Sequence, residues 1–283
     1  MIAITGATGQ LGRLVISALF QRVPANQLVA LVRDPAKAVD LAEQGVDVRH
    51  ADYNQPDTWP SALEGITRLL LISSNEPGQR SAQHFTVINA AKAAGVELLA
   101  YTSVLRADTS ALGLAAEHVE TELAMASAGV PHVLLRNGWY NENYAAAVPS
   151  AVVHGALLGS AGEGRIASAA RADYAEAAAV VLTRDGEAGK VYELAGDTSY
   201  TLSELAAEVT RRSGKSVTYQ NLPQADFKAV LVSVGLPEAV AELLSDSDVA
   251  ASGGALFDDG GALRELIGRA TTPVHEAVAA VLS

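Results

Sequence analysis

Three glycines near the start of the chain constrain its fold more than any other feature. They belong to a loop that follows a predicted strand and opens a predicted helix: Gly6, Ala7, Thr8, Gly9, Gln10, Leu11 and Gly12. In such a loop Gly6 permits a tight turn, Gly9 lets the backbone approach a pyrophosphate, and Gly12 lets the helix pack close to the strand. The free N–H groups and the dipole at the helix start then bind phosphates. We therefore predict a dinucleotide site, the alternative being an ordinary glycine-rich turn.

The first half of the chain alternates strand-like and helix-like segments. The predicted strands are Ile2–Thr5, Leu28–Val32, Asp47–His50, Arg68–Ile72, Leu98–Thr102 and Val133–Leu135. The predicted helices are Leu11–Phe20, Ala36–Gln44, Thr58–Leu63, Gln83–Ala94 and Ala115–Ala128. Nearly continuous apolar strands suit a sheet that is covered on both faces, and strand–helix alternation indicates a parallel sheet. We therefore predict an α/β fold with a Rossmann-type, doubly wound parallel sheet.

The chain changes character after Arg136, where a polar and aromatic run begins. We predict a Rossmann domain over residues 1–136, to which 172–196 returns, and a smaller mixed α+β domain over 137–171 and 197–283 that covers the substrate. In this half we expect a helix over Ala172–Thr183, strands over Lys190–Leu194 and near Val217–Gln220, and a capping box formed by Thr201 and Glu204.

Composition excludes several classes of function. The net charge of −12 repels phosphate backbones, so we expect no nucleic-acid partner. No apolar run reaches the roughly 18 residues of a membrane helix, and the first five residues do not resemble a secretory leader, so we expect a cytoplasmic protein without membrane insertion. The chain has no cysteine, which excludes disulfides and thiolate chemistry, and its six histidines lack metal-ligand spacing, so we expect no metal.

Arg33 ends the predicted second strand, the position that distinguishes the two nicotinamide dinucleotides. An acidic residue there binds the ribose 2′-hydroxyl, whereas a basic residue favours a 2′-phosphate. The planar guanidinium of Arg33 suits a phosphate. We therefore predict NADPH as cofactor, although Asp34 follows directly and leaves open a surface Arg33–Asp34 pair without a ligand role.

Hydroxyl side chains end two further predicted strands. Ser73 and Ser74 follow the fourth strand, and Thr102 and Ser103 end the fifth. Ligands of doubly wound sheets lie at the carboxyl ends of the strands, so these hydroxyls are candidates to contact ribose or nicotinamide. The alternative is that they cap the helices that follow.

The Tyr-x-x-x-Lys pair that serves as acid and base in ordinary short-chain dehydrogenases is absent. The residues four positions after the eight tyrosines are Asp57, Leu105, Tyr144, Val148, Ala178, Gly196, Glu204 and Pro223. Without a positioned base, oxidation of an unactivated alcohol is disfavoured. Reduction of a quinone is less demanding, because the hydroquinone anion is a stabilised phenoxide that water can protonate. Positioning and hydrogen bonds to the developing oxyanion then supply the catalysis.

The run Leu135-Arg136-Asn137-Gly138-Trp139-Tyr140-Asn141-Glu142-Asn143-Tyr144 resembles the NmrA-like atypical short-chain dehydrogenase/reductases, and within them the bacterial NAD(P)H:quinone oxidoreductases. The likeness extends nearly end to end, through residues 6–12, 70–74, 89–96, 100–103, 171–175 and 191–196. It implies NADPH bound in a cleft between two domains and a quinone as the small-molecule substrate.

The resemblance also implies site residues. It implies cofactor contacts from the glycine loop, Arg33, Ser73, Ser74, Asn137, Gly138, Trp139, Tyr140 and Asn141, with Tyr140 or Asn143 orienting the quinone. From the residues alone, a buried anchor is the more typical role for Trp139, whereas a ligand role is slightly favoured for Asn141 and Asn143. Arg171 either reaches the cofactor or pairs with Asp173 at a helix start.

The sequence leaves three hypotheses for function. The first is an NADPH-dependent quinone reductase that works without the tyrosine–lysine pair. The second is a catalytically silent NADP(H)-binding redox sensor that acts through a protein partner. The third is a reductase for another activated carbonyl or enone. We expect no flavin, because there is no second nucleotide loop, and the sequence leaves open whether the chain forms a homo-oligomer.

Overall fold

The computed structural model describes residues 1–76 and 78–283. These residues form two compact units, each assembled from three chain segments. The first unit comprises Met1–Ala107, Ala116–Asn137 and Ala172–Tyr192, and the second comprises Asp108–Ala115, Gly138–Arg171 and Glu193–Ser283. The domain boundaries that we derived from the sequence stay a prediction.

Across the described residues the chain contains nine strands. They are β1 (Ile2–Ile4), β2 (Leu28–Val32), β3 (Asp47–His50), β4 (Arg68–Leu71), β5 (Leu98–Val104), β6 (His132–Asn137), β7 (Ala156–Gly159), β8 (Val191–Leu194) and β9 (Thr218–Asn221). Seven of them form one sheet in the order β3-β2-β1-β4-β5-β6-β8. The pairs along this sheet from β3 to β6 are parallel. The predicted α/β fold with a doubly wound parallel sheet is confirmed.

Thirteen α-helices lie between or after these strands in the part of the chain that is described. They are α1 (Gln10–Leu19), α2 (Val39–Glu43), α3 (Trp59–Ala62), α4 (Arg80–Ala93), α5 (Ala115–Ala128), α6 (Asn141–Ala145), α7 (Val148–His154), α8 (Arg171–Thr183), α9 (Leu202–Ser213), α10 (Gln224–Ser233), α11 (Glu238–Ser252), α12 (Ala262–Ile267) and α13 (Val274–Leu282). None of these helices has the length and apolar character needed to cross a membrane.

The order of the strands reverses at β1, which lies between β2 and β4. In register, Ile2 is opposite Leu28 on one side and Arg68 on the other. Such a reversal leaves a crevice at the carboxyl ends of the strands, because the connections on either side leave in opposite directions. The fold therefore places a ligand site at the segments that follow β1, β2 and β4.

Apolar strands hold this sheet in the core of the first unit. All seven residues of β5 are buried, and Leu69, Leu71, Leu99 and Tyr101 pack with Trp59 in one cluster. Burying one leucine side chain contributes about 1.5–3 kcal/mol, so this cluster fixes the sheet and the ends of its strands.

Several element limits differ from the sequence predictions. The predicted helix over Ala36–Gln44 is a 3₁₀ turn, Pro35–Ala38, followed by the short α2, and Pro56–Thr58 precedes α3 in the same way. Pro35 and Pro56 each stand at the first position of a 3₁₀ turn, where a helix tolerates proline. The predictions of α5 over Ala115–Ala128 and of the capping box at Thr201 and Glu204 are confirmed.

The second unit has a two-stranded parallel sheet, in which Ala156 of β7 is opposite Thr218 of β9. Asp248 of α11 is buried against the end of β7 and accepts hydrogen bonds from the Ser160 N–H at 2.9 Å and the Tyr144 hydroxyl at 3.0 Å. Burial raises the pKa of Asp248 above its usual value. A Cβ on Gly159 would lie 2.6 Å from Oδ2 of Asp248, so a larger residue there would displace the Asp248 side chain.

Helix α1 packs against the turn that follows β1 without any intervening side chain. A Cβ on Gly12 would lie 2.3 Å from the carbonyl oxygen of Gly6 and 2.8 Å from Cα of Ala7. Both distances are far below van der Waals contact, and both neighbours are backbone atoms that cannot swing aside. The position therefore admits only glycine, as the close packing of helix on strand requires.

We predict that Gly12→Ala destabilises the protein by about 1–3 kcal/mol, because the added methyl group overpacks the turn. The free energy of unfolding, measured by denaturant titration, checks this. Gly253→Ala is the matched control, because its Cβ would meet only the carbonyl oxygen of Ala250, at 3.5 Å. Equal losses in the two variants would contradict the prediction.

Candidate nucleotide-binding site

A cavity of about 600 Å³ lies in the first unit, at the carboxyl ends of β1, β2, β3 and β4. Its lining includes the glycine loop except Ala7, and the predicted ligands Arg33, Ser73 and Ser74. Ala7 is fully buried beneath the loop. The structure thus brings together the candidate residues that follow three separate strands, although their role as cofactor ligands stays a prediction.

The glycine loop presents backbone N–H groups to this cavity. Gly6 has a φ of +57°, a left-handed conformation that favours glycine, and the Gly9 N–H donates to the Gly6 carbonyl at 2.9 Å. Helix α1 then begins at Gln10 with Gly9 as its N-cap residue, and no side chain in the described part of the chain caps it. The first turn of a helix has N–H groups without helical partners, so this end of α1 is free to bind an anion.

Arg33 lies directly after β2 and lines the same cavity as the glycine loop. Its side chain is 64% exposed, and its Nη1 lies 3.0 Å from Oε1 of Glu76. The carboxylate of Asp34 instead accepts the N–H of Ala36 at 3.1 Å. Arg33 therefore pairs with a residue that follows β4, and the alternative of a surface Arg33–Asp34 pair is wrong.

The segment after β4 is held by groups of the neighbouring strand and helix. The Ser73 N–H donates to Oγ1 of Thr102 at 2.9 Å, which makes Thr102 a support of the cavity wall. The Ser74 hydroxyl accepts from the Glu76 N–H at 3.2 Å. Gln79 is the N-cap residue of α4, so the alternative that the serines cap the following helix is wrong.

His84 of α4 holds the same segment from the interior. Its Nε2 accepts the Ser74 N–H at 2.9 Å, and its Nδ1 lies 2.9 Å from Oγ1 of Thr121, which donates to the Glu117 carbonyl. Because an amide N–H can only donate, Nε2 is unprotonated and Nδ1 carries the hydrogen. Burial, followed by the positive charge of Arg80, lowers the pKa of His84 to about 3. The ring is therefore neutral and fixed in one tautomer.

Ser103, at the end of β5, is joined to a buried ion pair. Its hydroxyl donates to Oε1 of Glu122 at 2.5 Å. Arg136 of β6 grips the same carboxylate with two hydrogen bonds, Nε to Oε1 at 3.0 Å and Nη2 to Oε2 at 2.7 Å. The Ser103 hydrogen is thus committed to a carboxylate and is not available as a proton donor to a substrate.

Asn137, the last residue of β6, has a buried polar atom without a partner. The residue is 6% exposed, and its side-chain Oδ1 accepts no hydrogen bond from the described residues. A buried amide oxygen without a donor is costly, so a ligand or an ordered water that donates to this atom would stabilise the site.

In the second unit, the predicted residues of the aromatic run form the start of α6. Tyr140 is its N-cap residue, and the guanidinium of Arg171 lies 4.6 Å from the centre of the Tyr140 ring. The backbone N–H of Arg171 donates to both carboxylate oxygens of Glu142 at 3.1 Å. Trp139 is buried, in agreement with the role of an anchor. The Asn143 N–H donates to the Tyr140 carbonyl at 3.1 Å.

Asn141 is fully buried and ties parts of the second unit together. Its Nδ2 donates to the Thr272 carbonyl at 2.7 Å, and its Oδ1 accepts from the Ser168 hydroxyl at 2.6 Å. The Gly138 N–H donates to the Leu194 carbonyl at 2.7 Å. These bonds give Asn141 and Gly138 structural functions, and their role as cofactor ligands stays a prediction.

Part of the cavity lining was not predicted from the sequence. Tyr53 and Asn54 follow β3, where the same strand-end rule could have found them, whereas Glu76 and Gln83 follow β4 at a distance that no simple rule covers. The Tyr53 hydroxyl donates to the Ile72 carbonyl at 2.8 Å, and its ring stacks on Trp59 at 5.9 Å. These residues shape the cavity floor.

Comparison with known proteins agrees with this architecture. The sequence profile of the NmrA-like family matches residues 1–259. The chain belongs to the NmrA-like family. The resemblance inferred from the sequence is therefore confirmed.

This NmrA-like protein is 62% identical over 278 residues to quinone oxidoreductase 2 of Escherichia coli strain K12. The aligned region covers 98% of this chain and 97% of the relative. Its structure is similar to that of the NADPH-dependent quinone oxidoreductase of Escherichia coli complexed with NADPH, with a TM-score of 0.98, 60% identity and full coverage of both chains. It is also similar to Citrobacter sp. triphenylmethane reductase complexed with NADP(H), with a TM-score of 0.96, 40% identity and full coverage of both chains.

The neutral His84 predicts a pH dependence of stability. Its folded pKa is about 3, below the roughly 6.5 of an unfolded histidine, so its contribution is complete above pH 6.5 and is lost as the pH falls towards 3. His84→Gln keeps an acceptor for the Ser74 N–H but does not titrate. We expect the unfolding free energy of this variant to fall less steeply below pH 6.5, by up to about 1.4 kcal/mol per pH unit.

Denaturant titrations at several pH values between 6.5 and about 4 measure this slope. His154→Gln, at an exposed histidine, is the control and should follow the wild-type curve. Parallel curves for the wild type and His84→Gln would show that His84 takes up its proton equally in both states.

Proposed function

We propose that this protein is an NADPH-dependent quinone oxidoreductase. The observation that carries the proposal is that the uncapped start of α1, the Gly6 turn and Arg33 line one cavity of about 600 Å³. A set of free backbone N–H groups and a guanidinium, in a chain whose net charge is −12, is a local anion site in an otherwise repelling field. The 62% identity to a quinone oxidoreductase supports both the cofactor and the substrate class.

The residues present fit a phosphorylated dinucleotide. The N–H groups after Gly9 would hold the diphosphate, and Arg33 would hold the 2′-phosphate. The unpartnered Oδ1 of Asn137 would accept a hydrogen bond from the nicotinamide carboxamide. Ser73 and Ser74 line the same cavity and would contact ribose. Tyr140 and Asn143 remain our candidates for orienting the quinone.

The side chains of this protein suit a reaction in which no side chain has to donate a proton to the substrate. Bound NADPH supplies a hydride. The Ser103 hydrogen is committed to Glu122, and no tyrosine is followed by a lysine four residues later, so the chain lacks the usual proton donor. Hydride addition to a quinone gives a stabilised phenoxide that takes its proton from water. The protein therefore has to bind and orient the two reactants.

The other hypotheses are less well supported. A silent redox sensor is not favoured, because the similar proteins are oxidoreductases. The cytoplasmic location expected from the sequence stays a prediction.

The test of the proposed function is turnover of NADPH with a small benzoquinone, followed by the loss of cofactor absorbance. We expect turnover well above the uncatalysed rate, and stronger binding of NADPH than of NADH in calorimetric titrations. A parallel panel of enones and activated carbonyls separates quinone reduction from the reduction of other acceptors. Binding of NADPH without turnover of any acceptor would overturn the assignment and favour the sensor.

Arg33→Gln should weaken NADPH binding about 10–100-fold, because it removes charge-assisted hydrogen bonds worth about 1.5–3 kcal/mol. The affinity for NADH, which lacks the 2′-phosphate, should change by less than about three-fold. Arg22→Gln removes the same charge at an exposed site outside the cavity and should leave both affinities unchanged. Equal losses for NADPH and NADH in Arg33→Gln would contradict a role in recognising the phosphate.

A further inference from the structure

Glu76 places a negative charge on the residue that the proposed function uses to bind a phosphate. Its Oε1 lies 3.0 Å from Nη1 of Arg33, and the two side chains are 38% and 64% exposed. Ion pairs at this level of exposure contribute little to stability, so the pair exchanges readily for another partner. A phosphate that binds this guanidinium takes the place of a carboxylate, yet the carboxylate stays nearby.

A hydrogen bond from Gln83 holds the Glu76 carboxylate near Arg33. Its Nε2 donates to Oε2 of Glu76 at 2.8 Å and lies 3.2 Å from Oδ1 of Asn54. Both neighbours are acceptors, so the orientation of the amide is fixed, and Gln83 itself is only 2% exposed. The carboxylate is thus held through one oxygen by a buried side chain, while the other oxygen faces Arg33.

The other two acidic side chains that line the cavity are engaged differently. Asp34 accepts the N–H of Ala36 at 3.1 Å, and Asp52 accepts the N–H of Asn54 at 2.9 Å. Both contacts are local, and the second carboxylate oxygen of Asp52 accepts from Nε2 of Gln55 at 3.0 Å. Glu76 is therefore the carboxylate of the cavity that contacts the phosphate-selecting cation.

We propose that Glu76 is a specificity-determining residue that limits the preference of this protein for NADPH over NADH, an inference that rests on the function proposed above. A 2′-phosphate on Arg33 is repelled by the neighbouring carboxylate. An unphosphorylated ribose is not repelled, and its 2′-hydroxyl is able to donate to a carboxylate, as it does to the acidic residue after the second strand in NADH sites. Arg33 and Glu76 thus act in opposite directions, and the wild-type protein binds both nucleotides.

The test is a calorimetric titration of the wild type, Glu76→Gln and Glu97→Gln with NADPH and NADH. Glu76→Gln keeps the size of the side chain and an acceptor for Gln83, so the fold is retained. We expect it to bind NADPH about five-fold more tightly than the wild type at low salt, since unit charges about 4 Å apart in water interact by about 1 kcal/mol. NADH should bind equally or more weakly. Glu97→Gln, at an exposed glutamate outside the cavity, controls for net charge.

The same titrations at high salt distinguish an electrostatic effect of the Glu76 charge from a change in local structure. The gain in NADPH affinity of Glu76→Gln should shrink to less than two-fold in about 1 M salt, where the Debye length is about 3 Å. The selectivity should also appear in turnover as a change in the KM ratio of the two nucleotides.

The outcomes are distinct. An unchanged ratio of the two affinities in Glu76→Gln overturns this inference, and so does weaker NADPH binding, which would make Glu76 a support of Arg33. A wild type that binds neither nucleotide overturns the proposed function instead.

Discussion

The contact between α1 and the turn after β1 is the constraint on which the candidate site depends. There is no room for a Cβ at Gly12, because the Gly6 carbonyl occupies that space. This contact sets the start of the helix close to the end of the strand, and so aims the unpaired N–H groups of the first turn into the cavity. The apolar strands of the sheet then place Arg33 and the segment after β4 around the same cavity. The site is thus a consequence of backbone packing more than of any single polar side chain.

The parts of the site that the sequence predicted are those that depend on local geometry. The glycine loop and Arg33 could be identified because each follows its strand directly, and the position of a strand end in a parallel sheet is known once the order of the sheet is assumed. The fold class could be predicted for the same reason, since the alternation of apolar strands and helices admits few arrangements.

What the sequence could not predict are contacts between distant segments. Glu76 meets Arg33 across 43 positions, and His84 meets Thr121 across 37. Such pairs depend on how α4 lies beside α5 and on the path of the segment after β4, and neither has a local sequence signal. The interpretation of Ser73 and Ser74 as helix caps failed on the same point, because α4 begins only at Arg80.

The Glu122–Arg136 ion pair, to which Ser103 donates its hydrogen bond, restricts the reactions that this fold can acquire by mutation. For alcohol chemistry, a variant of this protein would need a free hydroxyl and a basic partner at the end of β5. Replacing Glu122 alone removes the carboxylate that pairs with Arg136, and replacing Arg136 alone removes the cation that pairs with Glu122. Breaking a buried ion pair by removing one partner costs about 3–5 kcal/mol. A mutational route to that chemistry therefore crosses an unstable intermediate unless both positions change together, which would keep a lineage of this kind confined to acceptors that need no protein acid.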